Sequence, residues 1–343
     1  MVNILKIEDF LQNIDEDSLL IDARSPSEYS ESHIKNAINL YVLDDKEREQ
    51  VGTLYKKSPF DAKMLGASLI SKNIAAYLQN ELKEFTPKTK IFVYCSRGGQ
   101  RSNSLGTVLS NIGFRVYKLH GGYKSYRSHI LNHLDTFKYD SFVVLDGLTG
   151  SGKSELIREF ENSIDLERLA NHYGSSFGAI NGRQPSMKQF QNSIYHELKR
   201  VEKYDATVIE GESKKIGDLH IPTIFYKKIL KAPRIWIESP LQDRVKRIVK
   251  DYKKIDKEFF ESSISKITPY IDKRYLADIK KSFYERDYYK CAEILLSKYY
   301  DKVYRYRGNY ATVINHTTTE ETVSEINRFI SSILVNRTGT GAL

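Results

Sequence analysis

The stretch Ser141-Phe142-Val143-Val144-Leu145-Asp146-Gly147-Leu148-Thr149-Gly150-Ser151-Gly152-Lys153-Ser154 decides the fold. Its first five residues are apolar and β-branched enough for a buried strand, and after Lys153 the apolar spacing turns helical at Leu156, Ile157 and Phe160. Strand, glycine loop and helix thus follow in the order that a phosphate-binding loop requires. Gly147, Gly150 and Gly152 let the backbone curl until successive N–H groups face one anion; the helix N-terminus adds partial positive charge and Lys153 a full one. Ser154 is the residue that would hold a Mg²⁺. The pattern leaves open whether the phosphates belong to ATP, GTP or another diphosphate, and whether they are hydrolysed.

Working outward, 343 residues suit two domains of ordinary size. Met1 to Phe10 already carries Lys6, Glu8 and Asp9, and no apolar run approaches a membrane span, so the expectation is a cytoplasmic protein with no membrane partner. Cys95 and Cys291 are too few for a disulfide framework or a thiolate zinc site, and the eight histidines show no metal-ligand spacing. The net charge of +9 is uneven: residues 1–137 hold 18 Lys+Arg against 16 Asp+Glu, and residues 138–343 hold 35 against 28. Between Arg244 and Arg307 stand 18 basic and 10 acidic residues with ten tyrosines among them, including Tyr270, Tyr275, Tyr288, Tyr299 and Tyr306. Cations interleaved with stacking rings suit an RNA surface, with Arg244, Lys246, Arg247 and Lys250 as tRNA-binding candidates; a solvated helical subdomain, about 240–307, fits the same composition.

A second chemical site lies earlier. Lys90-Ile91-Phe92-Val93-Tyr94 reads as a strand delivering Cys95 to the loop Ser96-Arg97-Gly98-Gly99-Gln100-Arg101-Ser102, and Leu105, Val108, Leu109 and Ile112 then give a helical stripe. A cysteine at the mouth of a helix, with Arg97 and Arg101 nearby, is placed to favour the thiolate. Gly98 and Gly99 let amides converge on an anion above the sulfur, and Ser102 closes the loop. Upstream, Leu19 to Ala23 reads as a buried strand and Pro26 opens a helical turn; His33 to Leu40 returns into a strand, and helices follow over 44–57 and 60–84.

These residues resemble a rhodanese domain. The matching pieces are Asp22-Ala23-Arg24-Ser25-Pro26 with Glu28-Tyr29, the His33–Ala37 segment, the loop opening at Cys95, and Leu119-His120-Gly121-Gly122-Tyr123. Here five residues separate the cysteine from the arginine where common rhodaneses have four. The resemblance therefore implies a larger cradle, for a phosphate ester or selenophosphate rather than thiosulfate.

After the phosphate loop come the polar segment Asn171 to Gly178, then Gln184-Pro185-Ser186, and a strand Ala206 to Glu210 that leads into Gly211-Glu212-Ser213. A strand beside a phosphate loop offers an acid to a metal or its water, which makes Glu210 and Glu212 candidates for metal or acid/base work. Arg234 to Glu238 is another core strand, Thr312 to Asn315 a last short one, and Thr318 to Glu321 caps a helix through Leu334, beyond which a disordered tail is expected from Arg337.

The fold class expected is α/β: an N-terminal rhodanese-like domain, 1–137, followed by a P-loop NTPase-like α/β domain, 138–343, with a helical C-terminal part. With Val51-Gly52-Thr53-Leu54-Tyr55-Lys56-Lys57 added, this arrangement resembles the tRNA 2-selenouridine synthases over the whole chain. The resemblance implies a transferase acting on wobble 2-thiouridine of tRNA, which S-geranylates it from geranyl diphosphate and exchanges the sulfur for selenium from selenophosphate. It also implies a selenophosphate-supplying enzyme as partner. The alternatives are an ATP-dependent tRNA sulfurtransferase with a Cys95 persulfide, and a nucleotide-gated tRNA-binding protein with a relict loop; intact Cys95, Arg97 and Arg101 weigh against the last.

Overall fold

Continuous apolar runs such as Leu20-Ile21 and Phe92-Val93 suit strands buried on both faces, and they build parallel sheets covered by helices. The structure, a computed structural model, describes residues 1–252, 255–303 and 309–339. It divides into two units: Met1–Leu134 with Ser186–Ser193, and Asp135–Pro185 with Ile194–Leu343. The division falls three residues before the boundary expected at 137, and Ser186–Ser193 joins the first unit.

In the first unit, β1 (Asn3–Leu5), β2 (Leu19–Asp22), β3 (Ile38–Asn39), β4 (Lys90–Tyr94) and β5 (Arg115–Leu119) form a sheet of order β1-β5-β4-β2-β3. Every pairing is parallel. Ile21, Ile91, Val93, Leu105 and Leu109 are fully buried against the helices Pro59–Gln79 and Gln100–Asn111. β4 is the central strand, so its carboxyl end, where Cys95 follows, opens at the middle of the sheet.

The second unit repeats the logic with β6 (Phe142–Asp146), β7 (Ser163–Ile164), β8 (Thr207–Glu210), a short antiparallel pair β9 (Lys215–Ile216) and β10 (Leu219–His220), β11 (Arg234–Glu238) and β12 (Thr312–Asn315). Its five-stranded sheet has the order β12-β11-β6-β8-β7, again all parallel. β6, which feeds the glycine loop, is central. The helices Leu241–Tyr252, Lys257–Ile267, Lys273–Tyr284 and Tyr288–Leu295 enclose a separate apolar core around Phe260, Ile264, Ile267 and Leu296. The last helix runs Thr319–Gly339, five residues past the expected end at Leu334 and through the start of the tail expected to be disordered; residues 340–343 lie outside the described residues.

Candidate active-site loops

Cys95 leaves β4 and is buried, with its sulfur 3.2 Å from the Ser102 hydroxyl that donates to it. The next helix, Gly122–Thr136, pins the loop: Tyr123 N–H donates to Cys95 O at 2.8 Å and Lys124 N–H to Ser96 O at 3.0 Å. This approach needs glycine at 122, because φ is +60° and a Cβ would stand 2.2 Å from Cys95 O and 2.4 Å from Gly98 N. Gly98 and Gly99 form the crest, and Gly99 caps the helix Gln100–Asn111. Arg97 is exposed and has no ion pair among the described residues.

Arg101 departs from expectation. Its guanidinium is turned to Glu28, with Nη1 2.5 Å from Oε2, and to Ser96 Oγ at 3.1 Å. Burial opposes ionisation of Glu28, but hydrogen bonds from Arg101 and Ser96 and the Arg101 charge outweigh it and hold the carboxyl down at about 2. Arg101 therefore shapes the loop through Glu28 instead of presenting a free charge beside the thiol. Glu28 has no role legible in the sequence, since a helix-capping glutamate has the same local pattern.

In the second unit, three consecutive carbonyls of the glycine loop are held from outside. Arg244 donates to Thr149 O at 3.2 Å, Arg247 to Gly150 O at 3.3 Å, and the His316 Nδ1–H to Ser151 O at 2.7 Å. Across trans peptides the N–H groups of Gly150 and Gly152 point the other way, toward a cavity of about 260 Å³. Gly147, Lys153, Ser154, Glu212 and Arg247 also line it, as do Tyr173, Gly174 and Ser175 from the polar segment singled out in the sequence. Gly152 has φ +92°, and a Cβ there would lie 2.3 Å from the His316 ring. Lys153 Nζ donates to Gly147 O at 2.9 Å, which keeps its charge at the loop.

Ser154 donates to Glu167 at 2.7 Å, and Glu167 N–H donates to Glu210 Oε1 at 2.5 Å. Glu210 ends β8 beside Leu145; it is fully buried, and its Oε2 has no hydrogen-bond partner. Burial, then repulsion from Glu167, drives the Glu210 carboxyl well above the ordinary range and pushes Glu212 up to about 8. Burial raises Glu167 as well. Glu167 and His316 were missed in the sequence: each simply follows a short strand, and only the tertiary fold brings it to the loop.

The four cations assigned to tRNA separate. Arg244 is buried, and its guanidinium is committed to Asp301 at 2.7 and 2.8 Å as well as to Thr149; it offers no surface to RNA, and its place is structural. Arg247 also bonds Ser239 and lines the loop cavity. Lys246 and Lys250 are exposed. Of the tyrosines, Tyr275, Tyr288 and Tyr299 pack against the helical core and Tyr300 is buried within it; Tyr270 remains exposed, and Tyr306 lies outside the described residues.

Behind the loop a second cavity opens, of about 60 Å³ and lined almost wholly by apolar groups. It shares Thr149, Ser175 and Ile248 with the phosphate cavity and extends to Phe260, Phe283 and Cys291.

A cysteine loop on a parallel sheet, followed by a phosphate loop on another, defines a rhodanese-like protein joined to a P-loop domain. The rhodanese-like domain model matches residues 6–129, and the model of the tRNA 2-selenouridine synthase AAA domain matches residues 140–281. The tRNA 2-selenouridine synthase of Pseudomonas syringae pv. syringae is 36% identical over 238 residues, covering 68% of this chain and 65% of that protein. The tRNA 2-selenouridine synthase of Bordetella petrii is 38% identical over 239 residues, covering 68% and 64%. The crystal structure of an N-terminal domain of a protein titled as ATP/GTP binding, from Clostridium difficile 630, is 39% identical with a TM-score of 0.34, covering 38% of this chain and 99% of that one. The chain therefore carries a rhodanese-like domain and a domain matching the tRNA 2-selenouridine synthase AAA domain. It spans 64 to 65% of the length of these two relatives.

Proposed function

We propose that this protein converts wobble 2-thiouridine of tRNA to 2-selenouridine in two steps, S-geranylation and then selenium exchange. The observation that carries the first step is that the phosphate cavity and an apolar one lie against the same three residues, Thr149, Ser175 and Ile248. A nucleotide needs polar edges beyond its phosphates, whereas a prenyl diphosphate needs hydrocarbon walls.

In the first step the thiouridine sulfur attacks C1 of the geranyl group, the C1–O bond breaks, and its electron pair leaves on the diphosphate. The N3 proton passes to solvent. Loop amides and Lys153 stabilise the departing charge. In the second step the selenium of selenophosphate attacks C2 of the pyrimidine, and the sulfur leaves with its geranyl group and a proton as geranylthiol. Water then cleaves the P–Se bond, releasing phosphate and 2-selenouridine. The loop from Cys95 to Ser102 is the seat proposed for the selenophosphate, with the exposed Arg97 as the cation that meets it. A selenophosphate-supplying enzyme is the partner this reading requires.

The residues at Ser154 fit a hydrated Mg²⁺. Glu210 Oε2 is buried without a partner, and burial and mutual repulsion keep the neighbouring carboxyls from ionising. When bound, Mg²⁺ would neutralise diphosphate charge, with Ser154, Glu167 and Glu212 holding it or its waters.

Incubation of thiolated tRNA with geranyl diphosphate and selenophosphate, followed by mass spectrometry of the wobble nucleoside, tests the proposal. Geranylated and then selenated nucleoside is expected, without ATP. Modification that requires ATP hydrolysis, read by phosphate release with tRNA present, would replace this reading with the sulfurtransferase one.

A further inference from the structure

The stretch Val51 to Lys57, which neither loop uses, ends at an outward corner of the first unit. The helices Asp45–Tyr55 and Pro59–Gln79 are joined by Lys56, Lys57 and Ser58 alone, a connection short enough to fold them into an antiparallel hairpin. They close on each other at Gly66, where an added Cβ would lie 3.5 Å from the Val51 side chain. Tyr55 stands one turn beyond Val51, which brings it beside the first turn of the second helix, where Phe60, Lys63 and Met64 begin its outer face.

The second helix buries the stripe Ala62, Gly66, Ile70, Ile74 and Tyr77 and turns Phe60 and Met64, four residues apart, the other way. Tyr55 is 53% exposed, Phe60 70% and Met64 61%. Lys56, Lys57 and Lys63 are exposed around them and have no ion pair among the described residues. Cations at a helix C-terminus complement its dipole, which accounts for Lys56 and Lys57. It accounts neither for Lys63 nor for three large apolar side chains held in water.

The corner leads back to the cysteine loop. Ser27 N–H donates to Asp45 at 3.1 Å, and Arg48 Nε stands 3.9 Å from the Glu28 carboxylate that holds Ser96. Tyr55 follows Arg48 by seven residues, two turns on the same face and about 10 Å along the axis, which is about three stacked nucleotides. Between them Gly52 leaves the surface bare, since a Cβ there would meet nothing within 4 Å.

We propose that Tyr55, Phe60 and Met64, ringed by Lys56, Lys57 and Lys63, bind the single-stranded loop nucleotides of tRNA that flank the wobble base. Bases stack on the rings and phosphates meet the ammonium groups. The proposal rests on the reading above that selenation occurs at the Cys95 loop, which must then receive the wobble base together with its neighbours. Charge selects the occupant: residues 55–64 hold three lysines against the single acid Asp61, which attracts a phosphate backbone and repels a second copy of the same corner.

The test uses the full chain and two RNAs, an anticodon stem–loop with wobble 2-thiouridine and the same stem closed by a non-nucleotide linker. Wild type should bind the stem–loop at least tenfold tighter. Phe60→Leu and Tyr55→Leu should each weaken stem–loop binding at least fivefold and leave the linker-closed stem unaffected, whereas Phe60→Tyr keeps wild-type affinity, because bases stack on rings and not on branched chains. Lys57→Ala should reduce the slope of log affinity against log salt by about 0.7, the share of one single-strand phosphate. Selenation by Phe60→Leu should show a raised KM with kcat kept. A folded Phe60→Leu protein that binds like wild type, or a wild type that treats the two RNAs alike, overturns the corner and leaves selenation standing. A wild-type dimer in sedimentation that Phe60→Lys dissociates gives the corner to a second copy and also overturns it. Ring-dependent binding by a wild type that forms no 2-selenouridine from geranylated tRNA and selenophosphate sinks the selenation reading and keeps the RNA corner.

Discussion

Arg101 and Glu28 lie side by side at the cysteine loop, with Nη1 2.5 Å from Oε2, and Glu28 also accepts from the Ser96 hydroxyl at 2.5 Å. One carboxylate from the helix Pro26–Glu31 thus ties the first residue after Cys95 to the arginine at the loop's far side. The loop keeps its shape through an ion pair outside the anion seat.

Replacing Glu28 with Gln should loosen this tie and cost about 1.5–3 kcal/mol, the usual worth of hydrogen bonds to charged groups. The sign with pH follows from a folded-state value held at about 2 against an ordinary 4.5. The stabilisation is present above about pH 4.5 and is lost as pH falls toward 2. Acid unfolding followed by circular dichroism should separate wild type from Glu28→Gln at pH 6 and bring them together near pH 2. Parallel curves throughout would count against the assignment.

Glu212 runs in the opposite sense. Its folded-state value is raised to about 8 from 4.5, so its protonated form favours the fold; that contribution is full below about pH 4.5 and is lost as pH rises through 8. Thermal midpoints across pH 5–9 should fall more steeply for wild type than for Glu212→Gln. Mg²⁺ should raise the wild-type midpoint more at pH 8.5 than at pH 6, since the ion competes with a proton at the lower pH. Equal Mg²⁺ shifts at both values would reject a cation site at this carboxyl.

The two loops should divide the chemistry. Cys95→Ser is expected to abolish selenation and leave geranylation and tRNA binding near wild-type levels, whereas Lys153→Ala removes geranylation by at least 100-fold, the scale of one lost transition-state charge contact. Supplying pre-geranylated tRNA should restore selenation to Lys153→Ala and not to Cys95→Ser. Loss of both activities in either variant contradicts the division.

On the helix Leu241–Tyr252, neighbouring cations should behave unlike one another. Charge reversal at exposed Lys246 and Lys250 is expected to weaken tRNA binding and to lower the salt slope by about one unit per contact. Arg244→Ala should instead destabilise the fold by about 1.5–3 kcal/mol, since it removes hydrogen bonds to the half-buried Asp301 carboxylate and to Thr149 O. Denaturant midpoints and salt-dependent filter binding read the two effects apart. A destabilised Lys250 variant, or an Arg244 variant of full stability, would reverse this assignment.

The glycine loop was legible because strand, loop and helix are contiguous, and each follows a local rule. The same holds for Cys95 between β4 and its helix. Short edges were not: β1 carries an exposed Ile4, and β7 is only Ser163–Ile164, too brief to show a period. Arg244 misled because a cation on a helix looks alike whether it meets solvent or a carboxylate 57 residues away. Glu28, Glu167 and His316 were hidden for a related reason: their partners lie elsewhere in the chain, and spacing carries no trace of them.

His316 stands where any side chain on Gly152 would need to be, and it follows β12, the last strand of the sheet. The back wall of the phosphate loop therefore arrives 165 residues after Ser151, the carbonyl it braces. A nascent chain that has released strand, loop and helix still lacks this support, as well as the β12 edge that aligns β11. A polypeptide cut short before β12 therefore has the loop's sequence without the His316 brace or the β12 edge that complete its setting.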